Sequence, residues 1–70
     1  MSTPRIVLTL SKRVRELRDN KGISQERLGE IAGLHRTYIG MIERAEKNIT
    51  LVNLEKIAKA LGVKASTLID

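Results

Sequence analysis

The side chains whose types and spacing most clearly suit a binding role lie near the middle of the chain, in the segment GLHRTYIGMIER (residues 33–44). Arg36 and Thr37 stand at the predicted start of a short helix, and Gly40 follows one turn later. Arginine can donate two hydrogen bonds to guanine O6 and N7, while threonine offers a hydroxyl to several bases and a methyl to thymine. Because glycine has no side chain, we expect Gly40 to leave this face free of bulk, so that the helix can approach the base edges closely. The chemistry indicated is hydrogen bonding to the edges of base pairs.

Polar residues on both sides of this segment are suited to binding phosphate. Gln25 is predicted at the first turn of the preceding helix, where its amide and free backbone N–H groups can converge on one anion. Tyr38 is predicted on the flank of the core, where it either packs or offers its hydroxyl to a phosphate. The expected contacts to a nucleic-acid backbone are Ser24, Gln25, Arg44, Lys47, Asn48 and Thr50. Such contacts position a protein on a duplex without specifying its sequence.

Catalysis and metal binding are not expected. The chain has no cysteine and one histidine, and its carboxylates are not clustered. This excludes disulfides, thiolate metal sites, most other metal-ligand sets and catalytic triads. We therefore predict no enzymatic activity, no cofactor, no metal and no small-molecule effector. His35, the single histidine, is expected to be a turn or capping residue.

Composition favours a polyanionic partner. Thirteen Lys and Arg against eight Asp and Glu give a net charge of +5 on 70 residues, a charge density that favours nucleic acid. One tyrosine and no Phe or Trp count against single-strand binding, which relies on aromatic stacking. The length predicts one domain with a marginal core. With no run of about 18 apolar residues and no secretory signal, we expect a soluble cytoplasmic protein, associated with the nucleoid through DNA and not with membranes.

The scaffold that must position these donors is predicted to be all-α, a compact bundle of five short helices. Gly22 ends the first helix, while Thr50 caps the fourth and Gly62 ends it. A short fifth helix is predicted over residues 63–69. The apolar stripes at helical spacing are Ile6, Leu10, Val14 and Leu17 in the first helix, and Leu54, Ile57, Ala58 and Leu61 in the fourth.

Residues 24–43 are predicted to form a helix-turn-helix. Ser24 caps the second helix, which ends at Ala32, and Gly33 supplies the positive φ at which a helix commonly terminates. The third helix is predicted over residues 36–44. Two helices at a large angle across a short glycine-containing turn are what the motif requires. The side chains expected to face inward are Leu28, Ile31, Ala32, Leu34, Ile39 and Ile42.

Two further features are interpreted as structural. Arg18 and Glu43 lie at the edges of the apolar stripes of helices that must pack together, so we predict a partly buried ion pair between them. Gly29 lies inside a helix, where glycine costs roughly 1 kcal/mol relative to alanine. We expect it to permit close approach by the next helix; the alternative is a glycine merely tolerated on the surface.

The segment that carries these features, residues 14–63, reads VRELRDNKGISQERLGEIAGLHRTYIGMIERAEKNITLVNLEKIAKALGV and resembles the lambda-repressor-like (Cro/C1, xenobiotic-response-element type) helix-turn-helix family. The stretches GLHRTYIGMIER and NITLVNLEKIAKALGV are similar to controller proteins of restriction–modification systems. The resemblance implies that Arg36, Thr37 and Tyr38 face DNA bases. It also implies that Gln25 and the Arg44–Asn48 segment contact its backbone, and it pairs Arg18 with Glu43.

Three positions depart from the family pattern. Gly29 replaces the usual alanine, a change expected to be harmless or slightly destabilising. Ala45 stands where many members have glycine, so the end of the third helix is expected to differ in geometry. Glu46 places an acid beside Lys47, near the expected phosphate track, and is expected to weaken non-specific binding.

The resemblance also implies a homodimer on a palindromic operator. We predict the dimer region at residues 51–70, because this segment is more apolar than a lone domain of 70 residues needs. The residues expected at the interface are Leu51, Val52, Val63, Leu68 and Ile69. A twofold protein would place its reading helices about one DNA turn, roughly 34 Å, apart.

The leading hypothesis is a sequence-specific transcriptional regulator that binds double-stranded DNA. The alternatives are an antitoxin that represses its own operon, a phage-type repressor, and a protein-interaction module that uses the fold without reading DNA. The predicted exposure of Arg36, Thr37 and Arg44 on one face disfavours the last of these.

Overall fold

The computed structural model describes residues 3–70, which form five α-helices connected by short turns. The helices are α1 (Arg5–Lys21), α2 (Gln25–Ala32), α3 (Arg36–Glu43), α4 (Leu51–Leu61) and α5 (Ala65–Ile69). The prediction of an all-α bundle of five short helices is therefore confirmed. Across the described residues, no helix combines the length and the hydropathy that crossing a membrane requires.

Local backbone chemistry sets the ends of these helices. Gly22, Gly33 and Gly62 have φ values of 67°, 73° and 72° and terminate α1, α2 and α4 as predicted. The Ser24 hydroxyl accepts a hydrogen bond from the backbone N–H of Arg27 at 2.9 Å, and the Thr50 hydroxyl caps α4 in the same way. These caps satisfy backbone donors that the first turn of a helix leaves unpaired.

The core lies where all five helices meet. Its buried side chains are Leu10, Val14, Leu28, Ile39, Ile42, Leu54, Ile57, Ala58, Leu61 and Leu68. The four predicted residues of the α4 stripe all belong to it. Within the helix-turn-helix, α3 packs against α1 and α2 packs against α4, while α5 supports α1 and α4 from behind.

Two apolar residues predicted to face inward are exposed. Ile6 is 53% exposed, and Val7, Leu10, Ser11 and Val14 form the buried face of α1 instead. At 100° per residue the four buried residues span an arc of about 100°, and Ile6 lies about 40° beyond Leu10, outside that arc.

The same geometry explains Ile31, which is 47% exposed. The buried residues of α2 are Leu28, Gly29 and Ala32, which span an arc of about 100°. Ile31 lies about 60° beyond Leu28, outside that arc. It therefore borders a shallow depression with Lys56 and Lys59 of α4 rather than the core.

Candidate nucleic-acid interface

The N-terminal end of α3 carries the predicted base-reading residues on an exposed surface. Arg36 and Thr37 are both exposed, and the helix begins at Arg36. His35 caps it, since its Nδ1 accepts a hydrogen bond from the backbone N–H of Thr37 at 3.0 Å, which agrees with its expected capping role. The cap fixes the first turn of α3, from which both donors project.

Gly29 is the position at which the turn before α3 packs against α2. A methyl group added at Gly29 would lie 2.5 Å from the carbonyl oxygen of Leu34 and 3.3 Å from the backbone nitrogen of Arg36. Leu34 also donates its N–H to the carbonyl of Gly29 at 2.8 Å. Gly29 is therefore a packing position, and its missing side chain sets how closely α3 approaches α2.

Gly40 does not form the open, low surface expected from the sequence. It is buried, and a methyl group added there would lie 3.0 Å from Nη1 of Arg44 and 3.4 Å from Oε1 of Gln25. The Arg44 side chain thus folds back along α3 and covers Gly40 beside Gln25. The sequence expectation was wrong at Gly40 because a long side chain one turn away fills the space that glycine leaves.

Tyr38 lies on the flank of α3 rather than on its outward face. Its hydroxyl accepts a hydrogen bond from Nδ2 of Asn53 in α4 at 3.1 Å, and its half-buried ring packs against the core. The ammonium group of Lys47 lies 5.9 Å from the ring centroid, within the range of a cation–π contact. The hydroxyl hydrogen of Tyr38 remains available to a further acceptor.

A buried carboxylate joins the three helices around this surface. Glu43 is only 4% exposed, and Arg18 donates to its two oxygens from Nε at 2.6 Å and from Nη2 at 3.0 Å. Gln25 donates from Nε2 to Glu43 Oε1 at 3.1 Å, and Ser11 donates to the Glu43 carbonyl at 2.6 Å. The predicted contact between Arg18 and Glu43 is thus present, and it extends to α2.

The hydrogen bond from Arg18 to Glu43 raises the pKa of the Arg18 guanidinium, although burial opposes this effect. Arginine is not deprotonated in proteins, so Arg18 supplies a positive charge beside the Glu43 carboxylate. Its Nη1 also donates to the carbonyl of Ile23 at 2.8 Å. With these donors engaged, Arg18 is a scaffold residue. Gln25 already donates one hydrogen bond to Glu43, so only the rest of its side-chain amide is available to a phosphate.

The connector after α3 carries the other predicted backbone contacts on its surface. Lys47, Asn48 and Thr50 are exposed, as are Ser24 and Arg44. Glu46 accepts a hydrogen bond from Nε of Arg44 at 3.1 Å. The acid that departs from the family pattern is therefore paired with a predicted DNA-contacting residue.

Ala45 ends α3 in a conformation that glycine favours. Its φ is 58°, the single positive value outside glycine among the described residues. The N–H groups of Ala45 and Glu46 donate to the carbonyls of Ile42 and Met41 at 3.0 and 2.9 Å. The chain therefore keeps the left-handed turn that a glycine would make, with an alanine in its place.

The apolar residues predicted at a dimer contact fall into two groups. Leu51 is 81% and Val52 63% exposed, whereas Val63 and Ile69 are half-buried. Leu68 is fully buried and belongs to the core, so its predicted interface role was wrong: it has no surface to offer a partner. The sequence could not separate Leu68 from its neighbours because both ends of the short α5 are apolar.

A groove of about 180 Å³ lies beside Leu51. Its lining is Ile6, Val7, Leu10, Asn48, Ile49, Leu51, Leu54 and Ile69. Ile6 and Ile49 were not assigned to this surface from the sequence. The signal that could have identified Ile6 is its place at the edge of the α1 stripe.

Several contacts of the interface were missed by sequence reasoning altogether. Glu26 accepts a hydrogen bond from Nη1 of Arg36 at 2.9 Å, and Asn53 orients Tyr38. Among the residues that the structure describes, no three His, Cys, Asp or Glu side chains are grouped so that they could hold a metal ion. The polar groups of this face are hydrogen-bond donors from arginine, threonine and amide side chains, with Glu26 and Glu46 as carboxylate acceptors.

Comparison with known proteins agrees with this geometry. The family model for Helix-turn-helix (HTH_3) matches residues 14–68. The chain belongs to the helix-turn-helix family. The match includes all of α2 and α3 and reaches into α5.

The helix-turn-helix chain is similar to restriction–modification control proteins. It is 50% identical over 60 residues to control protein C.SmaI of Serratia marcescens, covering 86% of this chain and 71% of that protein. It is 48% identical over 69 residues to control protein C.BamHI of Bacillus amyloliquefaciens, covering 97% and 85%. The crystal structure of the controller protein C.AhdI from Aeromonas hydrophila superposes with a TM-score of 0.85 at 44% identity, covering 89% of this chain and 94% of that one.

Proposed function

We propose that this chain is a sequence-specific transcriptional regulator of the restriction–modification controller type, which binds double-stranded DNA as a homodimer. The observation that carries the proposal is the exposed N-terminal turn of α3, where Arg36 and Thr37 project from a helix fixed by His35 and Glu43. An α-helix fits the major groove, and arginine and threonine at its first turn reach base edges. The similarity to C.SmaI and C.BamHI supports the controller subtype.

The surrounding residues divide into two proposed roles. Arg36 and Thr37 read bases, and Tyr38 joins them only if its free hydroxyl hydrogen reaches the groove. The proposed contacts to the phosphate backbone are Ser24, Gln25, Arg44, Lys47, Asn48 and Thr50. The Arg44 side chain covers Gly40 within α3. It therefore lies closer to the proposed base-reading residues than a side chain that extends past the end of α3 would.

The test of this proposal is binding to the DNA upstream of its own gene over a salt series. Phosphate contacts make affinity fall steeply with salt on every duplex, whereas base contacts add affinity on the operator alone. We expect specific binding that persists at physiological salt, measured by fluorescence anisotropy. Affinity equal to that for a random duplex of the same length would refute the proposal.

For the homodimer, we propose that the contact is formed around Leu51 and the adjacent groove. A twofold contact is self-complementary, because the same patch is used by both subunits. Leu51 projects from the rim of a groove lined by Ile6, Ile49 and Ile69, so one surface offers both a projecting side chain and a recess. Val52 and Val63 extend the proposed interface beyond the groove.

The dimer is tested by the change Leu51→Glu, with Leu8→Glu as the matched control. Leu8 is likewise an exposed leucine, at 51% against 81% for Leu51, but it does not line the groove. Sedimentation equilibrium should show a dimer for the wild-type chain and for Leu8→Glu, and a monomer for Leu51→Glu. A Leu51→Glu variant that remains dimeric would place the contact elsewhere.

A further inference from the structure

Arg36, the proposed base-reading residue, is paired with an acidic side chain of α2. Nη1 of Arg36 donates to Oε2 of Glu26 at 2.9 Å, and both side chains are about two-thirds exposed, at 65% and 64%. The contact links the first turn of α3 to the first turn of α2. Exposed ion pairs of this kind contribute little to folding, so stability does not explain why an acid faces Arg36.

The contact leaves the part of Arg36 that can read a base free. A guanidinium carries five N–H donors on three nitrogens, and Glu26 engages only Nη1. Nε and Nη2 together form the second edge of the fork, which can donate to guanine O6 and N7. The hydrogen bond to Glu26 thus engages Nη1 and leaves the Nε–Nη2 edge of Arg36 free to donate to a base.

The helix-turn-helix carries less positive charge than the helix that precedes it. Residues 24–43 contain two basic and three acidic side chains, a net charge of −1, whereas α1 carries six basic and two acidic side chains, a net charge of +4. Most of the excess positive charge therefore lies outside the helix-turn-helix. With Glu26 beside it, Arg36 adds little attraction for a phosphate backbone.

We propose that Glu26 is a specificity-determining residue that positions Arg36 for a base edge and prevents it from serving as a non-specific phosphate contact. The inference rests on the proposed function, since it assumes that Arg36 reads DNA. Neutralising Glu26 releases Arg36 to phosphates on any sequence. Affinity for random DNA then rises while discrimination between bases falls.

The experiment compares Glu26→Gln with Glu30→Gln. Both changes remove one negative charge from α2, but Glu30 pairs with Arg27 and not with Arg36. Each variant is titrated against the upstream duplex and a random duplex over a salt series, by fluorescence anisotropy. Thermal unfolding of each variant verifies that the fold is retained.

For Glu26→Gln we expect the ratio of specific to random affinity to fall about tenfold, within the range of discrimination that one bidentate arginine provides. The salt slope on random DNA should steepen by about one unit, as for one added phosphate contact. Glu30→Gln should raise both affinities together and keep the ratio. In an Arg36→Ala background, Glu26→Gln should no longer change the ratio.

Two outcomes would overturn the role of Glu26 alone: an unchanged ratio in Glu26→Gln, or an equal loss of ratio in the Arg36→Ala background. Either would appear with a wild-type chain that still discriminates the upstream duplex. A wild-type chain that binds both duplexes equally would overturn the proposed function and this inference with it.

Discussion

Removing Arg18 should strongly destabilise the protein, because the buried Glu43 carboxylate would lose its charge partner. Glu43 is 4% exposed, and Arg18 supplies two of the three hydrogen bonds to its carboxylate. Breaking a buried pair by removing one partner costs about 3–5 kcal/mol. The Arg18 side chain is itself 14% exposed and Gln25 remains in place, so we expect about 3 kcal/mol for Arg18→Ala.

That loss is large for a chain of this length. Domains are stabilised by roughly 0.05–0.15 kcal/mol per residue, which amounts to about 4–10 kcal/mol here. Urea denaturation followed by circular dichroism should therefore show a much lower midpoint for Arg18→Ala. Arg15→Ala, on the exposed side of α1, is the control and should change the free energy of unfolding by less than about 0.5 kcal/mol.

A double-mutant cycle distinguishes the ion pair from simple loss of packing. Replacing both partners by apolar residues of similar size is often close to neutral, so Arg18→Met combined with Glu43→Leu should recover most of the stability that either change alone removes. If the two single effects simply add, the pair is not coupled. If Arg18→Ala behaves like Arg15→Ala, the proposed role of Glu43 in joining α1, α2 and α3 is wrong.

Two substitutions test the backbone on either side of the α3 surface. Ala45→Gly should raise the free energy of unfolding by about 0.5 kcal/mol, as measured by urea denaturation. The left-handed conformation costs alanine about 1–2 kcal/mol, and the greater entropy of glycine in the unfolded chain offsets part of the gain. Gly29→Ala should lower the free energy of unfolding by about 1 kcal/mol in the same assay. A methyl group 2.5 Å from the Leu34 carbonyl oxygen costs about 1–3 kcal/mol, and the higher helix propensity of alanine offsets about 1 kcal/mol of this cost.

The two predictions have different refutations. A less stable Ala45→Gly variant would mean that the positive φ at position 45 carries no strain. A Gly29→Ala variant at least as stable as the wild type would show that the turn before α3 can move away from α2 at no cost. Gly22→Ala is a useful comparison for both, because Gly22 has a positive φ and no neighbouring atom within 4 Å of an added methyl group.

Features that depend on local chemistry could be predicted from the sequence. Ser24, Gly33 and Thr50 act on backbone groups within a few residues of themselves, so their effect needs no knowledge of the tertiary structure. The Arg18–Glu43 contact was also predictable, because in a small bundle two stripe-edge charges on packed helices have few other places to lie. The overall fold followed from these elements together.

Features that depend on how long side chains settle across the surface were not predictable. Nothing in the sequence indicates that Arg44 folds back over Gly40 or that Glu26 meets Arg36 across the turn. Each requires a rotamer choice made against a neighbouring helix. The exposure of Ile31 was not predicted for a related reason. A helical wheel gives the direction of the buried face but not its width, so a residue at the edge of that face cannot be classed as buried or exposed.

The central claim is that Arg36 reads a base, and the most direct measurement is the affinity of Arg36→Ala for the operator and for operators changed at each position of one half-site. We expect discrimination to be lost at one base pair, at a cost of about 1–3 kcal/mol, while preferences at the other positions remain. Uniform weakening on all sequences, with a salt slope reduced by about one unit, would identify Arg36 as a phosphate contact and contradict its base-reading role.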